Sequence, residues 1–173
     1  VTDNLIARCT GQGTVGINLA GTNDYGIHGI EVANNVIYEI FRPMRILGQP
    51  GVDLNDVKVT DNLLQNPANS QRGLIEFRDA PVGDANVAFS GNTYYSARAE
   101  SEWFRDSQSF YSLPEWMAAA SEPDAISEQV QFADPSRSVA SYNVTLGGDE
   151  SLDAFMAEAR QQGKGNWRPA YTA

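Results

Sequence analysis

Val32-Ala33-Asn34-Asn35-Val36-Ile37 is one of four versions of a single phrase. The others are Val1-Thr2-Asp3-Asn4-Leu5-Ile6, Val59-Thr60-Asp61-Asn62-Leu63-Leu64 and Phe89-Ser90-Gly91-Asn92-Thr93-Tyr94. Their asparagines fall 31, 27 and 30 residues apart. Self-similarity at a period of roughly 20–50 residues, with β-branched residues and turn formers in every copy, predicts stacked coils rather than a conventional globule. Ile30 and Val32, Val57 and Val59, and Val87 and Phe89 each put two apolar groups on one face of a strand, and the asparagine follows three residues after the second. Asparagine suits a sharp corner there, because it tolerates the left-handed region and its amide bonds neighbouring backbone. In register, the four asparagines are expected to form an amide ladder at or inside the corner of the coils.

A second strand series follows each phrase by about a dozen residues: Val15 to Leu19, Met44 to Leu47, Leu74 to Arg78, and Trp103-Phe104-Arg105 as a fourth member. Two strand sets in constant order predict a mainly β chain, a right-handed parallel β-helix of about 3–4 coils over residues 1–108. A leucine-rich solenoid needs an L-x-x-L-x-L pattern that is absent, and an antiparallel sandwich gives no reason for the recurring asparagine.

The composition changes near residue 108, and residues 109–173 read as a C-terminal α-helical cap region. Ser112-Leu113-Pro114-Glu115 is a capping-box start for a helix over 113–120. Asp134-Pro135 opens a second candidate helix running through Tyr142. Ser151 caps a third, 152–162, with an apolar stripe of Leu152, Phe155, Met156 and Ala159 and with Gly163 as its C-cap. The stripe is expected to cover the last coil's open edge. Because Val1 already lies within a repeat unit, upstream coils or another chain are expected at the edge of the first.

The chain has 173 residues, 42% of them hydrophobic, and a net charge of −10. That charge disfavours nucleic acid and anionic membrane surfaces as partners, and no run approaches the ~20 apolar residues of a spanning helix. One cysteine and one histidine exclude a Cys/His structural zinc site.

The repeated phrase resembles the right-handed parallel β-helix superfamily of pectate-lyase-like proteins. Ser112 to Trp116, Phe132 to Arg137, Ser151 to Phe155 and Asn166 to Tyr171 are similar to the C-terminal end of secreted bacterial β-helix proteins. The resemblance implies a carbohydrate-associated module, the C-terminal portion of a polysaccharide-active, lyase- or epimerase-like protein that acts on or binds acidic glycans along one face of the coils. It also implies a secreted or periplasmic location. Hydrolases and spike proteins share this architecture, so a different class stands beside it: a non-catalytic structural module docking on another chain through its first coil.

Asn23 to Gly29 gathers Asp24, Tyr25 and His28, the chain's one histidine, between two coils. β-Elimination of a uronate needs a base, an acid and a group that neutralises the carboxylate, and His28, Tyr25 and Arg45 are the catalytic candidates. A polar inter-coil turn is the alternative reading. Arg42 and Arg45 flank Pro43-Met44, with Arg72 and Arg78 at the equivalent place one coil on. Their planar forks suit a uronate or sulfate, which makes Arg42, Arg78 and Asp24 the binding candidates. An exposed Arg45–Glu76 ion pair across adjacent coils is the structural alternative. Asp53, Asp56, Asp79 and Asp84 lie at turns without a calcium-loop spacing, so solvated turn carboxylates are expected and no metal or cofactor is assigned. Tyr94, Tyr95, Trp103, Phe104, Phe110, Tyr111 and Trp116 crowd the junction of coils and cap and read as core.

Overall fold

The computed structural model describes residues 1–21, 26–47, 54–67, 72–84, 86–132, 134 and 136–161. Two compact units divide the chain at Val130 and Gln131. The first is a parallel β-solenoid of about four turns.

Each full turn contributes one strand to each of three sheets. Strands β3 (Ile27–Ala33), β6 (Leu54–Thr60) and β9 (Val87–Ser90) form the first sheet. The second holds β1 (Leu5–Cys9), β4 (Val36–Ile40), β7 (Leu63–Asn66), β10 (Thr93–Ser96) and β13 (Ile126–Ser127). The third runs β2 (Val15–Ala20), β5 (Arg42–Leu47), β8 (Ile75–Arg78), β11 (Phe104–Arg105) and β12 (Phe110–Tyr111). All neighbours are parallel except β11 and β12.

Register stacks like on like. Val32, Val59 and Phe89 are successive partners on the first sheet, and Ile37, Leu64 and Tyr94 on the second. On the third, Ile17, Met44, Ile75 and Phe104 follow one another. All of these side chains are buried. The inward residues turn aromatic in the last turn, where α1 (Leu113–Ala119) supplies Trp116 as the plug. Its indole stacks on Phe104 with centroids 4.6 Å apart and interplanar angle 11°, and meets Phe89 edge-on at 5.2 Å. Glu115 Oε2 accepts from Ser112 N at 2.8 Å and from Ser112 Oγ at 2.7 Å, so the capping box read from sequence forms.

The amide ladder also forms, and the corner geometry divides its labour differently from the sequence reading. The residue before each ladder asparagine, not the asparagine itself, takes the left-handed conformation: Asp3 (φ 58°), Asn34 (φ 55°), Asp61 (φ 53°) and Gly91 (φ 65°). Asp, Asn and Gly are the residues that tolerate it. A Cβ at Gly91 would run into the Asp61 carboxylate, which would have to shift to admit any other residue. The asparagine is thereby released to point inward, and Asn35, Asn62 and Asn92 are buried.

The second unit contains α2 (Val139–Thr145) and α3 (Leu152–Arg160), which contact each other. Helix α2 starts later than the Asp134-Pro135 reading. Ser138 and Ser141 cap it reciprocally, at 2.9 and 3.1 Å, whereas Asp134 Oδ1 accepts from Ser136 N and Oγ in a turn of its own. Ser151 caps α3 by accepting from Ala154 N at 2.9 Å. Of its apolar stripe Leu152 and Met156 are exposed, and the last turn of the solenoid is closed by α1 and β13. Gly163 and Asn166 to Tyr171 lie outside the described residues.

Candidate functional site

Alternation on the third sheet decides which side chains face outward. Ile17 and Leu19, Met44 and Ile46, Ile75 and Phe77, and Phe104 are buried, so Asn18, Arg45, Glu76, Arg78 and Arg105 occupy the opposite face. Register then aligns Asn18, Arg45, Glu76 and Arg105 in one row, one residue per turn.

Glu76 sits at the centre of this row and is only 6% exposed. Three guanidinium groups close on it: Arg42 Nε at 3.2 Å, Arg78 Nε at 3.8 Å and Arg105 Nη1 at 4.0 Å. Although Arg42 Nε and Glu76 Oε2 are within ion-pair distance, neither atom has a hydrogen-bond partner, so the contact is Coulombic rather than directional. Arg45, opposite Glu76 in register, instead donates from Nε to Asn18 Oδ1 at 2.9 Å. The expected exposed Arg45–Glu76 pair is therefore replaced by a buried carboxylate shared among Arg42, Arg78 and Arg105, because Arg45 is engaged by Asn18 on the opposite side while the other three guanidiniums lie over Glu76.

Burial lowers the pKa of Arg42. The carboxylate of Glu76 opposes that shift, while the positive fields of Arg72, Arg45 and Arg78 add to it. Arg45, Arg72 and Arg78 are thus within electrostatic reach of Arg42, and Arg105 joins Arg42 and Arg78 through Glu76. These five are among the chain's twelve lysines and arginines, in a protein of net charge −10. Among the described residues the ion pairs of Arg42, Arg78 and Arg105 all fall on the single carboxylate of Glu76, which leaves this group net cationic, and oriented forks of this kind bind carboxylate or sulfate oxygens in pairs.

The other site residues read from sequence fall elsewhere. His28 is exposed on β3, in the first sheet, opposite Asn55 in register, and the arginines belong to the third sheet. Tyr25 and Asp24, like Asp53, lie outside the described residues. Asp56 pairs with Lys58 at 3.2 Å on the surface, and Asp79 is exposed with φ 72°. Among the described residues no three His, Cys, Asp or Glu side chains are placed to hold a metal ion.

Two participants escaped the sequence reading. Arg105 follows Glu76 by one coil period, so counting the period through the second strand series finds it. Glu122 follows Asn92 by 30 residues, again one coil. Its carboxylate stands where a fifth ladder asparagine would stand, fully buried. Oε1 accepts from Asn92 N and Nδ2, and Oε2 accepts from Tyr94 Oη and Trp116 Nε1, each at 3.0 Å. Burial pushes the Glu122 carboxyl up, the four donors pull it back, and the net value stays above the usual carboxylate range. Of the aromatic group, Tyr94, Trp103, Phe104 and Trp116 are core, but Phe110 is exposed.

No protein-family model, curated protein or solved structure matches this chain, so the role of the arginine face rests on its own geometry.

Proposed function

We propose that this chain is a carbohydrate-associated β-solenoid module that binds acidic glycans on the outer face of its third sheet. The observation that supports the reading is the convergence of Arg42, Arg78 and Arg105 on one buried carboxylate, with Arg45 in the same outward row and Arg72 within electrostatic reach of Arg42. A polyanion with regularly spaced carboxylates laid across the turns meets arginines of successive turns, which lie roughly 4.8 Å apart as in any β-ladder. The resemblance of the repeated phrase to pectate-lyase-like proteins points to the same ligand class and to a secreted or periplasmic setting. Binding rather than bond cleavage is the activity the face supports. Abstraction of a uronate C5 proton needs a base within hydrogen-bond reach of the sugar, and the chain's single histidine is on a different sheet.

Calorimetric titration with oligouronates and with neutral oligosaccharides of equal length tests this. Binding should be confined to the uronates, weaken in high salt, and fall about tenfold in Arg45→Ala or Arg78→Ala, of the order expected for one charge-assisted pair. Equal or absent binding of both ligand sets overturns the proposal. An absorbance assay for unsaturated uronate product should stay flat.

A second reading, a non-catalytic module that docks on another chain through its first coil, is supported by one feature. Strands β1 and β2 are edge strands, and Val1 and Leu5 are exposed beside them. Edges of this type invite strand addition. Sedimentation across a concentration series tests self-docking, and a species that stays monomeric at every concentration removes that form of it.

A further inference from the structure

The outward row does not end at Arg105. Strand β12 turns back antiparallel to β11 and places Phe110 directly opposite Arg105. The Arg105 guanidinium carbon lies 5.4 Å from the Phe110 ring centroid, so the cation that contacts Glu76 on one side covers one face of this ring on the other. Phe110 is 55% exposed, unlike Phe104 and Trp103 of the same segment, which are buried. Beside it a shallow groove runs between β12 and α1, lined by Ser109, Phe110, Tyr111, Glu115, Ala118 and Ala119. Tyr111 does not open toward a ligand, because its hydroxyl is committed to Asp106 Oδ2 at 2.7 Å. Phe110 is therefore the exposed aromatic surface at this end of the row.

We propose that Phe110 is the terminal subsite of the arginine face, a platform on which the apolar C–H face of one sugar packs while the carboxylates of the same chain engage Arg105, Arg78 and Arg45. This rests on the acidic-glycan reading above. A pyranose presents both a C–H face and a polar rim, and an aromatic ring fixed at the end of a cationic row matches both at once. The neighbouring Glu115 carboxylate sets the sugar's charge. It is anchored by two bonds from Ser112 and stays ionised, being held below its usual range by those bonds. A second anion is disfavoured beside Glu115 in the groove, and the Arg105 cation against the ring is taken by the carboxylate of the preceding sugar, so the sugar at Phe110 is an uncharged one, and the ligand is an acidic oligosaccharide with a neutral residue at that end.

The test titrates the protein with an oligouronate and with the same oligouronate carrying one neutral terminal hexose. The native chain should bind the second about tenfold more tightly, the order of one aromatic packing contact. Phe110→Leu should abolish that difference with an unchanged melting temperature, and Phe110→Trp should retain it. Arg45→Ala should weaken both ligands alike. If Phe110→Leu keeps the full preference, the subsite is refuted while the arginine face stands. If neither ligand binds any form of the protein, the acidic-glycan reading falls and the subsite falls with it.

Discussion

Asn92 donates both its backbone N–H and its side-chain amide to one oxygen of Glu122, at 3.3 and 2.6 Å. The same pair of donations recurs down the ladder, from Asn62 to Asn92 Oδ1, from Asn35 to Asn62 Oδ1 and from Asn4 to Asn35 Oδ1, all between 2.8 and 3.1 Å. Each amide nitrogen bonds a carbonyl as well: Asn35 to Val1, Asn62 to Val32 and Asn92 to Val59. Every donor in the chain of amides points the same way, so its final member must accept without donating. A carboxylate does that and an amide does not.

Glu122→Gln is expected to destabilise the solenoid by about 2–3 kcal/mol. A glutamine must turn its NH2 toward either the Asn92 donors or the Tyr94 and Trp116 donors, which leaves at least one buried donor unmade. Urea unfolding measures the loss. A midpoint within error of the native chain's would mean that the carboxylate is not what closes the ladder.

The same residue gives stability a pH dependence of definite sign. Its folded pKa is raised above the ordinary value of 4.5, so between 4.5 and the raised value the unfolded chain has released a proton that the folded chain retains. Stability from this group is therefore fully present below that window and declines as pH rises through it. Asp106 works in the opposite sense at lower pH. Burial raises it, but bonds from Tyr111, Gln108, Ser109 and Val82 outweigh burial and take it below 3.8, so its contribution is lost as pH falls. Unfolding free energies measured from pH 3 to pH 8 should show the decline on the upper side, and Glu122→Gln should remove that limb selectively. A limb that persists in the variant assigns it to another group.

The ladder's interior should matter more than its end. Asn62→Leu removes the acceptor of two buried Asn35 donors, takes its own amide away from Asn92 Oδ1 and the Val32 carbonyl, and leaves Asn92 Oδ1 only the backbone N–H at position 62, at a cost of about 3 kcal/mol for unmade buried bonds. Asn4→Leu, at an exposed position, removes one side-chain donor from Asn35 Oδ1 but keeps the backbone N–H that bonds the same oxygen, and should cost about 1 kcal/mol or less. Comparable losses at the two sites would show that burial does not set the ladder's contribution.

Sequence spacing made this ladder legible because a solenoid brings residues one period apart into contact, which turns a one-dimensional count into a three-dimensional neighbour list. The second strand series is found by the same count, but which of its residues share a column, Ile17 with Met44 and Ile75, is settled by register. The count did not distinguish Asp61 from Asn62, since both residue types suit a corner and only backbone φ separates the one that turns from the one that bonds. Glu122 was hidden because the phrase around Asn92 is not repeated there. Only the count of residues survives, and the aromatic partners that identify Glu122 come from α1 and β10. For Arg45 and Arg78, alternation with buried Met44, Ile46, Ile75 and Phe77 predicts an outward face, but Arg42 shares the parity of Met44, and that its guanidinium nonetheless meets Glu76 is a matter of side-chain conformation, which spacing does not encode. The chemistry of β-elimination groups His28 with Arg45, whereas two corners, before and after β4, lie between β3 and β5 and put the two residues on different sheets.

Glu76 tests whether the arginine face is held together by its own counter-ion. Glu76→Gln leaves Arg42, a largely buried guanidinium, without its 3.2 Å partner, and removal of one member of a buried pair costs about 3 kcal/mol. Replacing both by apolar residues, Arg42→Met with Glu76→Leu, removes the unpaired charge together with its partner, and stability should return to within about 1 kcal/mol of the native chain. The double variant still carries Arg45, Arg72, Arg78 and Arg105, now without a competing carboxylate in the row. If the face binds anions through those four, the double variant should bind an oligouronate at least as tightly as the native protein, whereas a loss of binding in a fully folded double variant would show that Arg42 itself is the essential contact. The unfolding midpoint and the titration are read on the same sample, so a folding defect and a binding defect separate.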